Sequence, residues 1–174
     1  MGDKASIRRR MRQVCDLIDD RELRSIDLWT QLAVLPEYAA ASTVMAFASM
    51  PTEPDTDGLF ARLVLDGKTL VLPRIEADGD CIVPVVAGDS FRDGRWGIRE
   101  PLGEPCDPAS IDLVVVPGVA FTLAGARLGH GKAYYDRFLP TTSAATVGVC
   151  FSEQLLDELS TEPHDVLMQH VLHA

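Results

Sequence analysis

The stretch IDLVVVPG, residues 111–118, decides the fold. Its segment Ile111–Val116 is short, rich in valine, and apolar on both faces of a strand. A strand of this kind is typical of the centre of a parallel sheet, which is covered on both sides. The sequence therefore predicts a buried central strand here, and the segments around it should supply its neighbours.

Four further segments are short and apolar and also predict strands: Ser42–Ala48, Thr69–Leu72, Cys81–Val86 and Thr146–Phe151. Pro73 is expected to stop the second of them, and Pro84 assigns the third to a sheet edge. Helical spacing or capping residues predict helices over Lys4–Asp19, Glu22–Leu35, the residues after Thr56, and 152–159. The glycine-rich and charged segment Ala87–Ser110 reads as a long loop.

Strands that alternate with helices indicate an α/β fold. We predict three layers, α/β/α, in which helices cover both faces of a mostly parallel, Rossmann-like sheet. Ligands of such sheets bind beyond the carboxyl ends of the strands, where the loop with Glu53 and the loop after Val116 would face one crevice. One domain is expected to span residues 1–174.

Composition and charge exclude several classes of protein. Hydrophobic residues make up 47% of the 174, yet no apolar run approaches the roughly 20 residues of a membrane helix. The formal net charge of −10 argues against a nucleic-acid-binding surface. The four cysteines are scattered and suit reduced thiols in the cytosol. We expect a cytoplasmic monomer that has neither a membrane nor a nucleic acid as its partner.

Positive charge is concentrated near the N-terminus, where Lys4, Arg8, Arg9, Arg10 and Arg12 lie within the first 12 residues. Lys4, Arg8 and Arg12 are four apart, so they share one face of the predicted first helix. In an acidic protein such a cluster indicates either a small-anion site or a solvated helix face.

The stretch RLGHGKAYYDRFL, residues 127–139, resembles a phosphate loop but fits neither common type. Gly125 lies one residue too far from Gly131 for a Walker A motif, and Tyr134 occupies the third glycine position of a dinucleotide fingerprint. A helix that begins near Gly131 would still attract an anion, and Asp136 is suited to Mg²⁺. The alternative is a glycine turn whose tyrosines pack into the core.

This stretch, together with VPGVAF at 116–121, resembles the signature of the 5-formyltetrahydrofolate cyclo-ligases, also called 5,10-methenyltetrahydrofolate synthetases. Shorter pieces follow in the family's order: Lys4-x3-Arg8, FASMPTEPDT at 47–56, LPR at 72–74, WGIREP at 96–101 and PHD at 163–165. The resemblance implies that ATP and Mg²⁺ drive ring closure of 5-formyltetrahydrofolate to the 5,10-methenyl form, with ADP and phosphate released. Phosphorylation of the formyl oxygen would activate that carbon for attack by N10.

The resemblance also implies roles for individual residues. ATP would be bound by Lys4, Arg8, Arg127, Leu128, Gly129, His130, Gly131, Lys132, Ala133, Tyr134 and Tyr135. The folate, with or without a polyglutamate tail, would be bound by Ala48, Glu53, Trp96, His130 and Tyr134. Asp136 and Asp165 would be Mg²⁺ ligands, and Arg127, Lys132 and Tyr134 would carry catalysis. Arg9, Arg10 and Arg12 have no counterpart in the pattern and are assigned to solvated charge.

Two positions depart from the family pattern. Ala133 stands where glycine is usual, and Ala48 is smaller than the apolar residue common there. His170 and His173 are assigned to a tail without a ligand role. Two alternatives remain open: an ATP-dependent kinase or ligase with another substrate, and a nucleotide-binding regulator without catalysis.

Overall fold

The fold is built on a six-stranded sheet, seen in a computed structural model that describes residues 3–76, 79, 81–94, 97–163 and 165–174. Ten strands lie in these residues: β1 (Thr43–Met45), β2 (Thr69–Ile75), β3 (Ile82–Val86), β4 (Phe91–Asp93), β5 (Arg99–Pro101), β6 (Leu113–Val116), β7 (Ala120–Phe121), β8 (Arg127–Leu128), β9 (Ala145–Cys150) and β10 (His170–His173). The large sheet has the order β10-β9-β6-β1-β2-β3. Every pair in it is parallel except β2 with β3, so the prediction of a mostly parallel sheet is confirmed.

Five α-helices accompany the described strands: α1 (Lys4–Asp16), α2 (Arg21–Ala33), α3 (Pro36–Ala40), α4 (Asp57–Leu65) and α5 (Tyr134–Phe138). Single 3-10 turns follow at Pro108–Ser110, Leu139–Thr141 and Ser152–Gln154. The N-terminus of α1 is capped by Asp3, whose carboxylate accepts a hydrogen bond from the backbone N–H of Ser6. No helix in the described part of the chain is long and apolar enough to cross a membrane.

Strand β6 shows why helices are needed on both faces. All four of its side chains are buried, and successive side chains point to opposite faces. Leu113 and Val115 pack in a core cluster with residues of α2, α3 and α4, whereas Val114 and Val116 pack with Phe121 and with residues of α5. The predicted three-layer arrangement is therefore confirmed.

Strand β2 runs through Pro73, and the prediction that this proline ends the strand was wrong. The last residue of β2 that pairs with β1 is Val71, so Pro73 lies beyond that neighbour and its missing N–H leaves no ladder bond unmade. On its other side Pro73 faces Pro84 of β3. The prediction that β3 is an edge strand is confirmed.

Three other local predictions were wrong. Segment Ala87–Ser110 contains the β4–β5 hairpin rather than only a loop, because Glu100 binds Arg92 across it. The segment after Phe151 forms one 3-10 turn instead of a helix over 152–159. His170 and His173 belong to β10, where parallel pairing with β9 completes the sheet.

The carboxyl ends of β1 and β6 meet at one crevice, as predicted. The chain that leaves β1 passes through Ala48 and Met50 to Glu53, and the chain that leaves β6 continues through Pro117. All four residues line one cavity. The parallel register of β1 with β6 brings these loops to the same sheet edge.

Candidate active site

Two neighbouring cavities open at this edge of the sheet. The first, called here the apolar cavity, has a volume of about 460 Å³. Its apolar walls include Phe47, Ala48, Met50, Ile75, Ile82 and Ile98. Two carboxylates, Glu53 and Glu100, also line it, although each of these residues is about 95% buried. A mostly apolar pocket with a few convergent polar groups is the usual form of a small-molecule site.

The second, called here the polar cavity, has a volume of about 240 Å³. Its charged lining residues are Lys4, Arg8, Arg127, Lys132, Asp136, Glu162 and Asp165. The backbone between Arg127 and Asp136, called here the glycine loop, forms much of the remaining wall. Five residues line both cavities: Pro117, His130, Lys132, Tyr134 and Tyr135. The two cavities are therefore separated by one shared wall, most of it from the glycine loop.

The glycine loop bends sharply just before α5. Gly131 has φ +101°, and Ala133 has φ +53°, so the loop adopts left-handed backbone conformations at both positions. A side chain with a Cβ is disfavoured there by roughly 1–2 kcal/mol. Helix α5 begins at Tyr134, not near Gly131, and it is only five residues long. The charge in the polar cavity therefore comes from the side chains of the glycine loop more than from the dipole of α5.

Arg127 and Asp136 form a largely buried ion pair in the wall of the polar cavity. The guanidinium donates through Nη2 to Oδ1 of Asp136, and the Arg127 side chain is 5% exposed. Its Nε is buried without an acceptor, as is the hydroxyl of Tyr135, whose ring lies 5.6 Å from the guanidinium carbon. Burial raises the pKa of Tyr135, so its hydroxyl stays protonated and remains a donor at neutral pH. Two buried polar groups without partners indicate that a polar ligand completes this site.

Helix α1 supplies further cations to the polar cavity. Lys4 donates to Glu162 at 2.7 Å and lies 3.6 Å from Asp165, and the Glu162 hydrogen bond raises the pKa of Lys4. Arg8 donates from Nε to the carbonyl oxygen of Gly129 at 2.8 Å. The predicted grouping of Lys4 and Arg8 with the glycine loop is thus present in the structure.

Glu53 connects the β1 loop to the glycine loop. Its Oε2 accepts the backbone N–H of Met50 at 2.9 Å, and its Oε1 lies 3.1 Å from Nε2 of His130. The Glu53 side chain is 6% exposed, whereas that of His130 is 44% exposed. A buried carboxylate held this way keeps acceptor capacity for N–H groups of a ligand in the apolar cavity.

Comparisons with known proteins identify the family of the chain. A sequence model of the 5-formyltetrahydrofolate cyclo-ligase family matches residues 1–174. The chain belongs to the 5-formyltetrahydrofolate cyclo-ligase family. Membership makes it an enzyme of the ligase class.

Relatives and solved structures carry the same family name. The 5-formyltetrahydrofolate cyclo-ligase of Mycolicibacterium smegmatis is 36% identical over 141 residues, which cover 75% of this chain and 72% of that protein. The solution NMR structure of the 5,10-methenyltetrahydrofolate synthetase of Aquifex aeolicus matches with a TM-score of 0.86 at 31% identity, over 98% of this chain and 89% of that one. The synthetase structure from Mycoplasma pneumoniae shares the fold, with a TM-score of 0.78 at 23% identity over 98% of both chains.

Most of the residues that the family pattern singled out line one of the two cavities. Leu128 is an exception, because its side chain packs in a core cluster with Met11, Val119 and Ala120. Trp96 lies outside the described residues. Tyr134 lines both cavities, and its hydroxyl donates to the carbonyl oxygen of Gly79 at 3.0 Å.

Glu100 is a lining residue that the sequence analysis did not assign, although WGIREP contains it. Its carboxylate accepts from Arg92, at 2.8 Å from Nη2, and from the backbone N–H of Ile75 at 3.3 Å. Gly94 makes room for it, because a Cβ there would lie 2.6 Å from Cγ of Glu100. Glu100 therefore fastens the β4–β5 hairpin to β2 and fixes one wall of the apolar cavity. The signal available was a lone acid in a family motif of which only Trp96 was assigned.

Proposed function

We propose that the protein catalyses the ATP- and Mg²⁺-dependent cyclisation of 5-formyltetrahydrofolate to 5,10-methenyltetrahydrofolate, with release of ADP and phosphate. The observation that carries the proposal is the shared wall between the two cavities. A substrate in the apolar cavity and phosphates in the polar cavity would meet at His130, Lys132 and Tyr134. Transfer of a phosphoryl group needs this juxtaposition above all, since positioning and charge neutralisation supply most of the catalysis.

ATP supplies the phosphoryl group that turns the formyl oxygen into a leaving group, and Mg²⁺ neutralises charge on the phosphates. The chain's own residues bind, orient and shield these groups. Arg127 and Lys132 would bind phosphate oxygens, Arg127 through the Nε that has no acceptor in the buried pair. Lys4 and Arg8 would extend the same cationic surface from α1.

Asp136 and Asp165 fit the proposed Mg²⁺ site. Both line the polar cavity, and both are carboxylates, which are the protein ligands that Mg²⁺ prefers. Among the described residues no three His, Cys, Asp or Glu side chains come together as a metal site. This suits Mg²⁺ that takes one or two carboxylates from the protein and its other ligands from phosphates and water.

The apolar cavity fits a reduced pterin. Ala48 and its apolar neighbours would enclose the ring, while the buried Glu53 carboxylate would accept hydrogen bonds from ring N–H groups. His130, which lies between Glu53 and the polar cavity, would face the reacting end of the substrate. Tyr134 lines both cavities and would orient the formyl group.

The decisive experiment mixes purified protein with MgATP and 5-formyltetrahydrofolate and follows the near-ultraviolet absorbance of the methenyl product. We expect product only when ATP and Mg²⁺ are both present. ATP consumption without any folate requirement would instead indicate a kinase or ligase with another acceptor. Tight ATP binding with no turnover on any folate would indicate a nucleotide-binding regulator.

A further inference from the structure

Helix α1 presents its basic residues to two different cavities. Arg8 lines the polar cavity and not the apolar one, whereas Arg12, one turn further along the helix, lines the apolar cavity and not the polar one. Arg9 and Arg10 are exposed and line neither. Arg8 and Arg12 also share a small cavity of about 50 Å³ with Glu53. The single cationic face that equal spacing predicted is therefore present, and its two arginines border different large cavities.

Arg12 has no partner within the part of the chain that the structure describes. Arg8 donates to Gly129, while Arg12 makes no hydrogen bond or ion pair with any described residue. Its side chain is exposed, so it stands at the opening of the apolar cavity and not in its interior. A guanidinium in this position presents five N–H donors in a fork that suits a carboxylate.

The apolar cavity therefore presents groups of both charges to a ligand. Two buried carboxylates, Glu53 and Glu100, lie in its walls, and the unpartnered cation Arg12 lies at its opening. A ligand that fits this lining has N–H donors for the buried carboxylates, an apolar body and a carboxylate for the guanidinium. On the function proposed above, that ligand is a folate whose ring faces Glu53 and whose glutamate extends outwards.

We propose that Arg12 binds the glutamate carboxylate of the folate and sets the cavity's preference for substrates that carry this tail. The assignment rests on the proposed function, because it concerns the same cavity. Lys132 also lines the apolar cavity, but it lines the polar cavity too, so its removal would affect both ligands. Arg12 is the α1 cation that separates recognition of the folate tail from recognition of the phosphates.

The test compares two substrates in the wild-type protein and in the Arg12→Ala variant. The first is 5-formyltetrahydrofolate, and the second is its analogue in which an uncharged methylamide replaces the glutamate. Alanine is the best helix former, so the exposed turn of α1 should remain folded. We expect Arg12→Ala to raise KM for the natural substrate about tenfold, as loss of a charge-assisted hydrogen bond should. KM for the methylamide and KM for ATP should change less than about twofold.

Three controls make the result specific. Arg12→Lys should keep part of the discrimination, because it retains the charge without the fork. Arg9→Ala and Arg10→Ala remove the same charge from neighbouring turns, and neither should distinguish the two substrates. If either behaves like Arg12→Ala, a general electrostatic attraction explains the effect and the assignment is wrong. Equal losses on both substrates would also overturn it, since Arg12 would then act through Glu53 or the fold.

Calorimetric binding of both ligands keeps this inference distinguishable from the proposed reaction. If the wild-type protein forms no product yet binds 5-formyltetrahydrofolate about tenfold more tightly than the Arg12→Ala variant does, the tail site stands and the reaction fails. If the wild-type protein binds the acid and the methylamide equally, the tail site fails, whatever the turnover. Absence of folate binding would overturn both.

Discussion

The two cavities use opposite means to hold polar groups. In the polar cavity cations and carboxylates are already paired with one another, as Arg127 is with Asp136 and Lys4 is with Glu162. In the apolar cavity the carboxylate of Glu53 is buried among apolar walls and held by the Met50 N–H and His130. The first arrangement suits a ligand with several charges, whereas the second suits a ligand with few, well-placed donors.

This difference predicts that substitutions will separate by cavity. Changes in the polar cavity should alter the dependence on ATP and Mg²⁺, and changes in the apolar cavity should alter the dependence on the folate. Residues of the shared wall should affect both, although Lys132, as a phosphate ligand, should affect the dependence on ATP more. Four substitutions test this division, and a fifth tests the backbone of the glycine loop, in order from the largest expected effect to the smallest.

Asp136→Asn should lower kcat at least about 100-fold and shift the Mg²⁺ titration to higher concentration. The change removes the charge that pairs with the buried Arg127 and that would bind the metal. Asparagine can still accept from Arg127, so a loss of only about 1–3 kcal/mol in the free energy of unfolding is expected by urea denaturation. An unchanged Mg²⁺ titration would remove Asp136 from the metal site.

Lys132→Ala should raise KM for ATP roughly 10- to 50-fold and KM for the folate much less. Lys132 is exposed on the shared wall and pairs with no described carboxylate, so its charge is available to a phosphate. Initial rates with each substrate varied in turn separate the two constants. Arg10→Ala is the matched control, and equal effects of Lys132→Ala on both constants would contradict the assignment.

Glu53→Gln should raise KM for 5-formyltetrahydrofolate about tenfold and leave KM for ATP nearly unchanged. The amide can still accept the Met50 N–H, but it lacks the charge offered to ring N–H groups. Glu158→Gln, at an exposed position, controls for the loss of one negative charge. A larger effect on ATP than on the folate would place Glu53 in the wrong cavity.

Gly94→Ala should raise KM for the folate several-fold without affecting KM for ATP. The new Cβ would lie 2.6 Å from both Cγ of Glu100 and the carbonyl oxygen of Ile98, so this wall of the apolar cavity must shift. Overpacking of this kind should also lower the free energy of unfolding by about 1–3 kcal/mol. Gly88→Ala meets nothing within 4 Å and should be neutral in both assays. An increase in KM for ATP would mean that the hairpin supports the polar cavity as well.

Ala133→Gly should have the smallest effect, a gain of about 0.5–1 kcal/mol in stability and a rise of roughly 1–4 °C in Tm. Ala133 has φ +53°, which glycine adopts without a Cβ penalty, although glycine's greater freedom in the unfolded chain offsets part of the gain. Thermal unfolding gives the shift, and Ala124→Gly, at an exposed position without positive φ, should not be stabilising. A lower Tm for Ala133→Gly would show that the left-handed backbone at Ala133 does not destabilise the protein.

The polar cavity was the easier half to predict from sequence. Much of it comes from the contiguous glycine loop, so residue types and spacing there carry both the family resemblance and the chemistry. The apolar cavity draws Ile75, Ile82 and Ile98 from separate strands and loops, and their convergence depends on sheet register. The burial of Glu100 depends on the β4–β5 hairpin, which was not predicted from the sequence.

The alternation of buried strands with helices predicted the fold class correctly. The prediction that Pro73 ends β2 was wrong. A proline stops a strand only where its N–H is needed by a neighbour, and the sequence does not show where a neighbouring strand ends. The same limit applied to Arg12. Helical spacing placed it with Lys4 and Arg8, but it does not show that Arg8 lines the polar cavity and Arg12 the apolar one.

The pairing of Pro73 with Pro84 has a consequence for self-association. An outermost strand ordinarily offers its free N–H and C=O groups to a strand of another molecule, which is a common route to aggregation. At the middle of β3, Pro84 has no N–H to offer, and its carbonyl oxygen already accepts the backbone N–H of Cys106 at 2.9 Å. A strand of another molecule could therefore not form a continuous ladder of hydrogen bonds along β3. Pro84 thus disfavours addition of strands at this edge, without any charged side chain at that position.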